Sequence, residues 1–255
     1  MNKRIPKRLK REPLVESVWE IRFASDRSSP VGQLLPGFIF EKFRLHYPRL
    51  VRLPASDIPP PVAEHDMALR YVPTVRLEAP DSPFSIQVGE RVVTLNCRRP
   101  YEGWSVFSER IRDLAELLHT SGLIAKPERF SLKYIDLIEL DSPPSLASLE
   151  MSLSVAGHSL AAKPMQLRTE IREEPFVHVL QVATPVDITL GTSGKRLRGT
   201  LVDIDTVHMA GEDFWEMLSE RLVQSHAASK RLFFNLLTNE AIERLEPEYE
   251  EEEGQ

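Results

Sequence analysis

The chain has 255 residues, of which 42% are hydrophobic and 27% charged, and its formal net charge is −6. A chain of this length can bury a sizeable core as one or two domains without a metal or disulfide staple. Cys97 is the single cysteine, which excludes an intrachain disulfide and predicts a cytoplasmic protein. No run of 18 apolar residues predicts a membrane-spanning helix.

The two ends of the chain carry opposite charge. Residues 1–11 form a basic tail, and residues 247–255 form an acidic tail rich in glutamate. We expect both tails to be solvated. The basic tail leaves nucleic-acid binding open, but the negative net charge and the lack of an RNA-recognition or helix-turn-helix signature argue against it.

The predicted elements of the first half begin with a strand over 15–23, where apolar and polar residues alternate. A helix should follow from Ser28-Ser29-Pro30 to about Tyr47, interrupted at Pro36-Gly37, and 54–61 should be irregular. The remaining predicted elements are strands over 67–77, 84–88 and 91–97, a helix over 104–121 and a strand over 130–140. Gly89-Glu90 predicts a type II′ turn, and therefore antiparallel pairing of the strands that it joins.

The second half is predicted to be rich in strands and to end in a helix. Strands are expected near 151–155, 164–172, 176–184 and 198–208. The final helical segment covers about 213–245, with a break at Thr238-Asn239.

These elements predict an α+β fold, with mostly antiparallel sheet and amphipathic helices on one face. Residues 12–141 read as β-α-β-β-β-α-β, a ferredoxin-like half with one extra strand. Residues 145–246 read as a β-rich half closed by a C-terminal helix, as in helix-grip folds. The two halves could share one continuous sheet or form two packed modules.

Four segments carry a resemblance to a known family. They are PLVESVWEIRF at 13–23, LNCRRPYEGWSVF at 95–107, RFSLKYIDLIEL at 129–140 and LVDID at 201–205. In order and spacing they resemble a sporadically distributed family of uncharacterised prokaryotic proteins of similar length. The resemblance implies a prokaryotic, cytoplasmic protein from an accessory locus, of the defence or toxin–immunity type. It supplies no catalytic residues, and it implies asparagine more often than aspartate at position 136.

The turn before the 104–121 helix is a candidate binding site. Arg98 and Arg99 could bind phosphate or carboxylate next to the start of the helix. Tyr101 and Trp104 offer aromatic area that suits a partner contact. The alternative interpretation is that these aromatic residues fix the helix to the sheet.

Two further groups of polar residues lie on predicted strands. Asp136 lies on an apolar strand face, so we expect it to be buried in an ion pair, with Arg22 or an arginine of the second half, or to form the floor of a pocket together with Arg168 and His178. Asp203 and Asp205 share one strand face and could bind a divalent cation, but a metal site needs a third ligand, so a solvated sheet face is the favoured interpretation.

No phosphate-binding glycine loop or serine-hydrolase motif is present, and we expect no catalytic residue and no cofactor. The sequence favours a non-enzymatic protein that binds a protein partner from a neighbouring gene. Alternatives are a small-ligand sensor with a pocket between the second-half sheet and the C-terminal helix, a metal-dependent hydrolase or nuclease, and an RNA-binding module. The sequence is also compatible with a homodimer that forms through an unpaired sheet edge.

Overall fold

The computed structural model describes residues 3–25, 30–191 and 194–250. The fold is α+β, with a large antiparallel sheet and several helices. The strands are β1 (Arg8–Leu9), β2 (Leu14–Ala24), β3 (Arg49–Arg52), β4 (Val75–Glu78), β5 (Phe84–Val88), β6 (Val92–Arg98), β7 (Lys126–Ile138), β8 (Ser154–Val155), β9 (His158–Ser159), β10 (Met165–Glu173), β11 (Phe176–Thr189), β12 (Arg196–Met209) and β13 (Pro247–Glu248). The α-helices are α1 (Val31–Phe43), α2 (Pro60–His65), α3 (Trp104–Thr120), α4 (Phe214–Leu236) and α5 (Asn239–Arg244).

The chain divides into two compact units that alternate along the sequence. The terminal unit comprises Met1–Val15, Tyr134–Thr206 and Gln224–Gln255, and the central unit comprises Glu16–Lys133 and Val207–Val223. Strands β2, β7 and β12 and helix α4 each contribute residues to both units, because the boundaries fall inside these elements.

In the central unit the strand order is β7-β2-β6-β5-β4-β3. The register aligns Trp19 with Leu95, Leu95 with Ile86 and Ile86 with Leu77. All four side chains are buried, so they form one apolar row across the sheet, as the side-chain period of two requires. Helices α1 and α3 supply further buried apolar residues of this unit, including Leu35, Ile39, Phe107, Ile111 and Leu114.

The other face of the central sheet is polar. Glu20 accepts hydrogen bonds from Arg22 (2.7 Å) and Arg129 (2.8 Å). Asn96 donates to Glu16 at 3.0 Å. Each carboxylate is thus matched by donors, which compensates for its partial removal from water.

Helix α1 departs from the prediction at both Pro36 and its C-terminus. The helix continues through Pro36, which is buried, and it ends at Phe43 rather than near Tyr47. A proline costs one backbone hydrogen bond inside a helix, and burial of its ring next to Leu35 offsets part of that loss. Ser28 and Ser29, the predicted start, lie outside the described residues.

The segment between α1 and β5 is more regular than the sequence predicts at some places and less regular at others. Pro54–Asp57 is a short 3-10 helix and α2 begins at Pro60, so the irregular assignment of 54–61 was wrong. Proline is well tolerated in the first turn of a helix, where its missing N–H has no acceptor. Turns occupy Met67–Tyr71 in place of the first part of the predicted 67–77 strand. Strand β3 was missed because it is short, two of its four residues are arginines and three are exposed.

The hairpin of β5 and β6 has the predicted antiparallel pairing, with Val88 opposite Val93. The predicted type II′ turn is wrong, because Gly89 does not have the positive φ that this turn requires. Glycine is needed here for space: a Cβ at Gly89 would lie 2.6 Å from the carbonyl oxygen of Val72.

In the terminal unit the strand order is β10-β11-β12-β7. The buried core of this unit comes from strands β7, β11 and β12 and from the C-terminal helices. Its members include Ile138, Leu180, Val182, Val202, Ile204, Phe234, Leu237 and Ile242. The break between the helices is as predicted, and the side chain of Thr238 caps α5 by accepting a hydrogen bond from the backbone N–H of Ala241 (3.1 Å).

The two ends of the chain pair with each other, where solvated tails were expected. Strand β1 pairs antiparallel with β13, with Arg8 opposite Glu248. Arg8 and Lys10 both form ion pairs with Glu248, and the guanidinium of Arg4 lies 4.7 Å from the centre of the Tyr249 ring. The opposite charges of the two ends favour this pairing. Residues 1–2 and 251–255 lie outside the described residues.

Within the described part of the chain, none of the helices combines the length and the apolar character that crossing a membrane requires.

Candidate functional site

The candidate site is a groove in the central unit, which we call the α1–α3 groove. It has a volume of about 380 Å³ and an apolar floor made by Phe43, Ile86, Leu95, Val106 and Leu114. The residues that complete its lining are Tyr47 and the charged or titratable residues Lys42, His46, Glu109, Arg110 and Asp113.

The charges around the groove differ between its two sides. The α1 side provides Lys42 and His46, whereas the α3 side provides Glu109 and Asp113. Arg110 also belongs to α3, and its guanidinium lies over the ring of Phe84, 4.3 Å from the ring centre. Arg110 is thus held against the sheet by a cation–π contact.

Tyr47 is the polar group at the bottom of the groove. It is buried, and its ring meets Phe43 edge-on at 6.4 Å. Burial raises the pKa of the Tyr47 hydroxyl, while the neighbouring Arg110 acts in the opposite direction. Tyr47 is therefore a neutral hydrogen-bonding group at neutral pH.

An apolar stripe on α1 runs beside the groove. Leu34 is 43% exposed, Phe38 48% and Leu45, in the turn that follows α1, 91%. We call these three residues the α1 stripe. Phe38 precedes Lys42 by one helical turn, so the stripe and the lining of the groove are neighbours on α1. Clustered exposed apolar side chains of this size are typical of interaction surfaces.

The aromatic residues of the predicted turn site pack against the core of the central unit. Tyr101 and Trp104 both meet the buried ring of Phe107 edge-on, at 6.1 and 6.5 Å. The aromatic residues therefore fix the start of α3 to the core. Arg98 is exposed and lies 3.6 Å from Glu16, and Arg99 is half-buried beside it.

Of the predicted group of Asp136, Arg168 and His178, two members are separated by the pairing of β10 with β11. In the β10–β11 register His178 is opposite Ile171, and Arg168 is opposite Gln181. Because successive side chains of a strand point to opposite faces, Arg168 and His178 lie on opposite faces of this ladder. Arg168 is exposed and interacts with Glu170 at 3.4 Å.

His178 is fully buried in the terminal unit. Its Nδ1 is 2.9 Å from the hydroxyl of Thr206, and its Nε2 is 3.8 Å from Glu173. Glu173 in turn forms an ion pair with Arg231 of α4. Burial lowers the pKa of His178, and Glu173 opposes this change, so the ring is neutral at pH 7.

Asp136 is buried, as predicted, at 5% exposure. It shares its strand face with Tyr134, whose hydroxyl is 2.8 Å from Nδ1 of His226. Burial lowers the pKa of His226 to about 4, with a further contribution from Lys230. His226 is thus a neutral histidine at the edge of the core.

Asp203 and Asp205 are buried, at 9% and 8% exposure, where a solvated sheet face was expected. Gln181 donates a hydrogen bond to Asp203 at 3.3 Å. Over the described residues, no three or more His, Cys, Asp or Glu side chains are grouped so that they could hold a metal ion. The pair therefore lacks the third ligand that the metal hypothesis requires.

The sequence contained a signal for the α1–α3 groove that the prediction did not use. Phe40, Phe43 and Tyr47 indicate one apolar face of α1, but Leu34 and Phe38 lie on another. A helix that is apolar on more than one face either is fully buried or makes a second contact. The contribution of α3 could not be read in the same way, because Glu109, Arg110 and Asp113 look like an ordinary solvated face.

Comparison with known proteins found no match: no protein-family model fits the chain, and no curated protein or solved structure matches it.

Proposed function

We propose that this protein is a non-enzymatic binding protein that holds a partner protein in the α1–α3 groove. The observation that carries the proposal is the exposed α1 stripe beside a groove of about 380 Å³ that has apolar residues in its floor and charged residues along its sides. The sequence resemblance to a sporadically distributed prokaryotic family supports a partner encoded by a neighbouring gene, in a defence or toxin–immunity locus. Cys97 as the only cysteine supports a cytoplasmic setting.

The form of the groove favours an amphipathic helix of the partner as its occupant. Such a helix presents an apolar face to the floor and can extend over the α1 stripe. Lys42 and His46 favour acidic residues along one edge of that helix, and Glu109 and Asp113 favour basic residues along the other. Opposite charge on the two edges would set the direction of binding.

The test is titration calorimetry between the full chain and the purified products of the adjacent genes. Phe38→Ser and Leu45→Ser should each weaken binding about tenfold or more, because central apolar anchors contribute most of the affinity of an interface. Met67→Ser is the matched control, since Met67 is an exposed apolar residue of the central unit outside the groove, and its exposure of 73% lies between those of Phe38 and Leu45. Failure of every neighbouring product to bind, or equal binding by all three variants, would refute the proposal.

A second candidate function is a small-ligand sensor in the terminal unit. The observation that favours it is the fully buried His178, which lies between Thr206 and Glu173. Buried titratable groups with specific charged neighbours occur often at functional sites. A metabolite panel that changed the melting temperature of wild type but not of His178→Gln would support this function, and a response shared by both would remove it.

The finer fold assignment belongs to the same proposal: a ferredoxin-like half at 12–141 and a helix-grip-like half at 145–246. The alternation of strands with two helices in the first half supports it. The strand order β7-β2-β6-β5 and the antiparallel pairing of β2 with β6 also support it, because in a split βαβ unit the two strands that a helix connects are separated by a third strand that is antiparallel to both. An experimental structure compared with both fold types would test the assignment.

A further inference from the structure

A second cavity of the central unit lies where β12 ends and α4 begins. Its volume is about 230 Å³. One water occupies about 30 Å³ in the liquid, so the cavity could hold a molecule of the size of roughly seven or eight waters. This volume is below the usual range for drug-sized ligands and suits a small metabolite.

The walls of this cavity combine apolar and polar groups. The ring of Phe130 stacks on His208, with centroids 5.4 Å apart, and meets Phe214 edge-on at 6.2 Å. Met217 and Leu218 extend the apolar wall along α4. Such walls favour a ligand with a hydrocarbon portion.

Two opposite charges line the same cavity, the carboxylate of Asp213 and the guanidinium of Arg221. Burial and Arg221 lower the pKa of His208, whereas Asp213 acts in the opposite direction. Both charges are therefore close to the His208 ring, and His208 itself contributes a neutral polar group. A single anion would be repelled by Asp213 and a single cation by Arg221.

We propose that this cavity binds a small zwitterion, with its carboxylate on Arg221, its ammonium group on Asp213 and its hydrocarbon linker against Phe130 and Met217. Arg221 follows Asp213 by eight positions, a rise of about 12 Å along the helix. Helical side chains lean toward the N-terminus, which brings the guanidinium closer to Asp213. The separation that remains favours an ω-amino acid over an α-amino acid, whose two charges are adjacent.

The experiment is titration calorimetry of the full chain with glycine, 4-aminobutanoate and 6-aminohexanoate as probes, and with butanoate and butylamine as singly charged controls. We expect one of the two ω-amino acids to bind with a Kd near or below about 1 mM. Arg221→Gln and Asp213→Asn should each weaken that binding about tenfold to a hundredfold, the usual effect of losing a charge-assisted hydrogen bond.

Two further variants separate loss of the site from loss of the fold. Met217→Trp fills the cavity and should abolish binding without removing a charge. Arg52→Gln changes an exposed arginine outside the cavity and should leave the affinity unchanged. No binding by any zwitterion, equal binding by the singly charged controls, or affinity that survives Arg221→Gln, Asp213→Asn and Met217→Trp would overturn the proposal.

Discussion

Replacement of His226 by glutamine should remove a large pH dependence from the stability of the protein. His226 is largely buried and lies 2.8 Å from the Tyr134 hydroxyl, and its pKa falls from 6.5 to about 4 in the folded state. The unfolded chain therefore binds more protons than the folded chain between pH 6.5 and pH 4. Folding stability should fall as the pH falls through this interval, and the contribution of His226 should stay constant below it.

The size of the effect follows from the two pKa values. The difference between 6.5 and about 4, at about 1.4 kcal/mol for each pH unit, corresponds to an upper value of roughly 3.5 kcal/mol. His226→Gln keeps a polar side chain next to Tyr134 but cannot take up a proton. Between pH 7 and pH 4, the free energy of unfolding should fall further for wild type than for His226→Gln, by up to that amount.

The assay is urea denaturation followed by tryptophan fluorescence at several values of pH. Titration of the carboxylates occurs in both proteins, so it cancels in the difference between their free energies of unfolding. His158→Gln, which changes an exposed histidine of the same unit, should follow the wild-type curve. Parallel curves for wild type and His226→Gln would refute the reasoning.

Three further predictions concern stability and can be checked by the midpoint of urea unfolding. Gly199→Ala should lower the free energy of unfolding by about 1–3 kcal/mol, because a Cβ there would lie 2.5 Å from the carbonyl oxygen of Ile138. Gly37 lies in α1 with open space around it, so Gly37→Ala should raise the free energy of unfolding by about 0.5–1 kcal/mol. A shared sign for the two glycine variants would contradict this explanation. Thr238→Ala should lower the free energy of unfolding by about 1 kcal/mol, because the α5 cap is lost. Thr238→Ser keeps a capping hydroxyl and should stay close to wild type. Glu20→Gln should lower the free energy of unfolding by about 1–3 kcal/mol, since it leaves Arg22 and Arg129 without their shared carboxylate. An unchanged midpoint would show that water takes the place of the Glu20 carboxylate.

The sequence pattern predicted a helix or strand correctly where one periodicity dominates a long segment. Helix α3 was predicted almost to the residue, because its apolar stripe repeats at helical spacing and Gly122 after its end has a φ of +67°. Strand β2 followed from strict alternation in the same way.

Prediction failed where a residue has more than one compatible environment. Proline at positions 36, 54 and 60 was interpreted as a helix breaker, yet it lies inside or at the start of helices, because its effect depends on whether an N–H is needed at that position. Asp203 and Asp205 were assigned to solvent because alternation identifies a second face of a strand but does not tell whether that face is covered.

The fold class, the long elements and the buried face of α3 could be predicted from the sequence, because these depend on residues close together in the chain. The folded structure was needed to show that the two oppositely charged ends pair, that Arg168 and His178 lie on opposite faces of their ladder, and that α1 and α3 line a common groove. Each of these features depends on strand register or on the packing of segments far apart in the chain, and local periodicity carries no information about either.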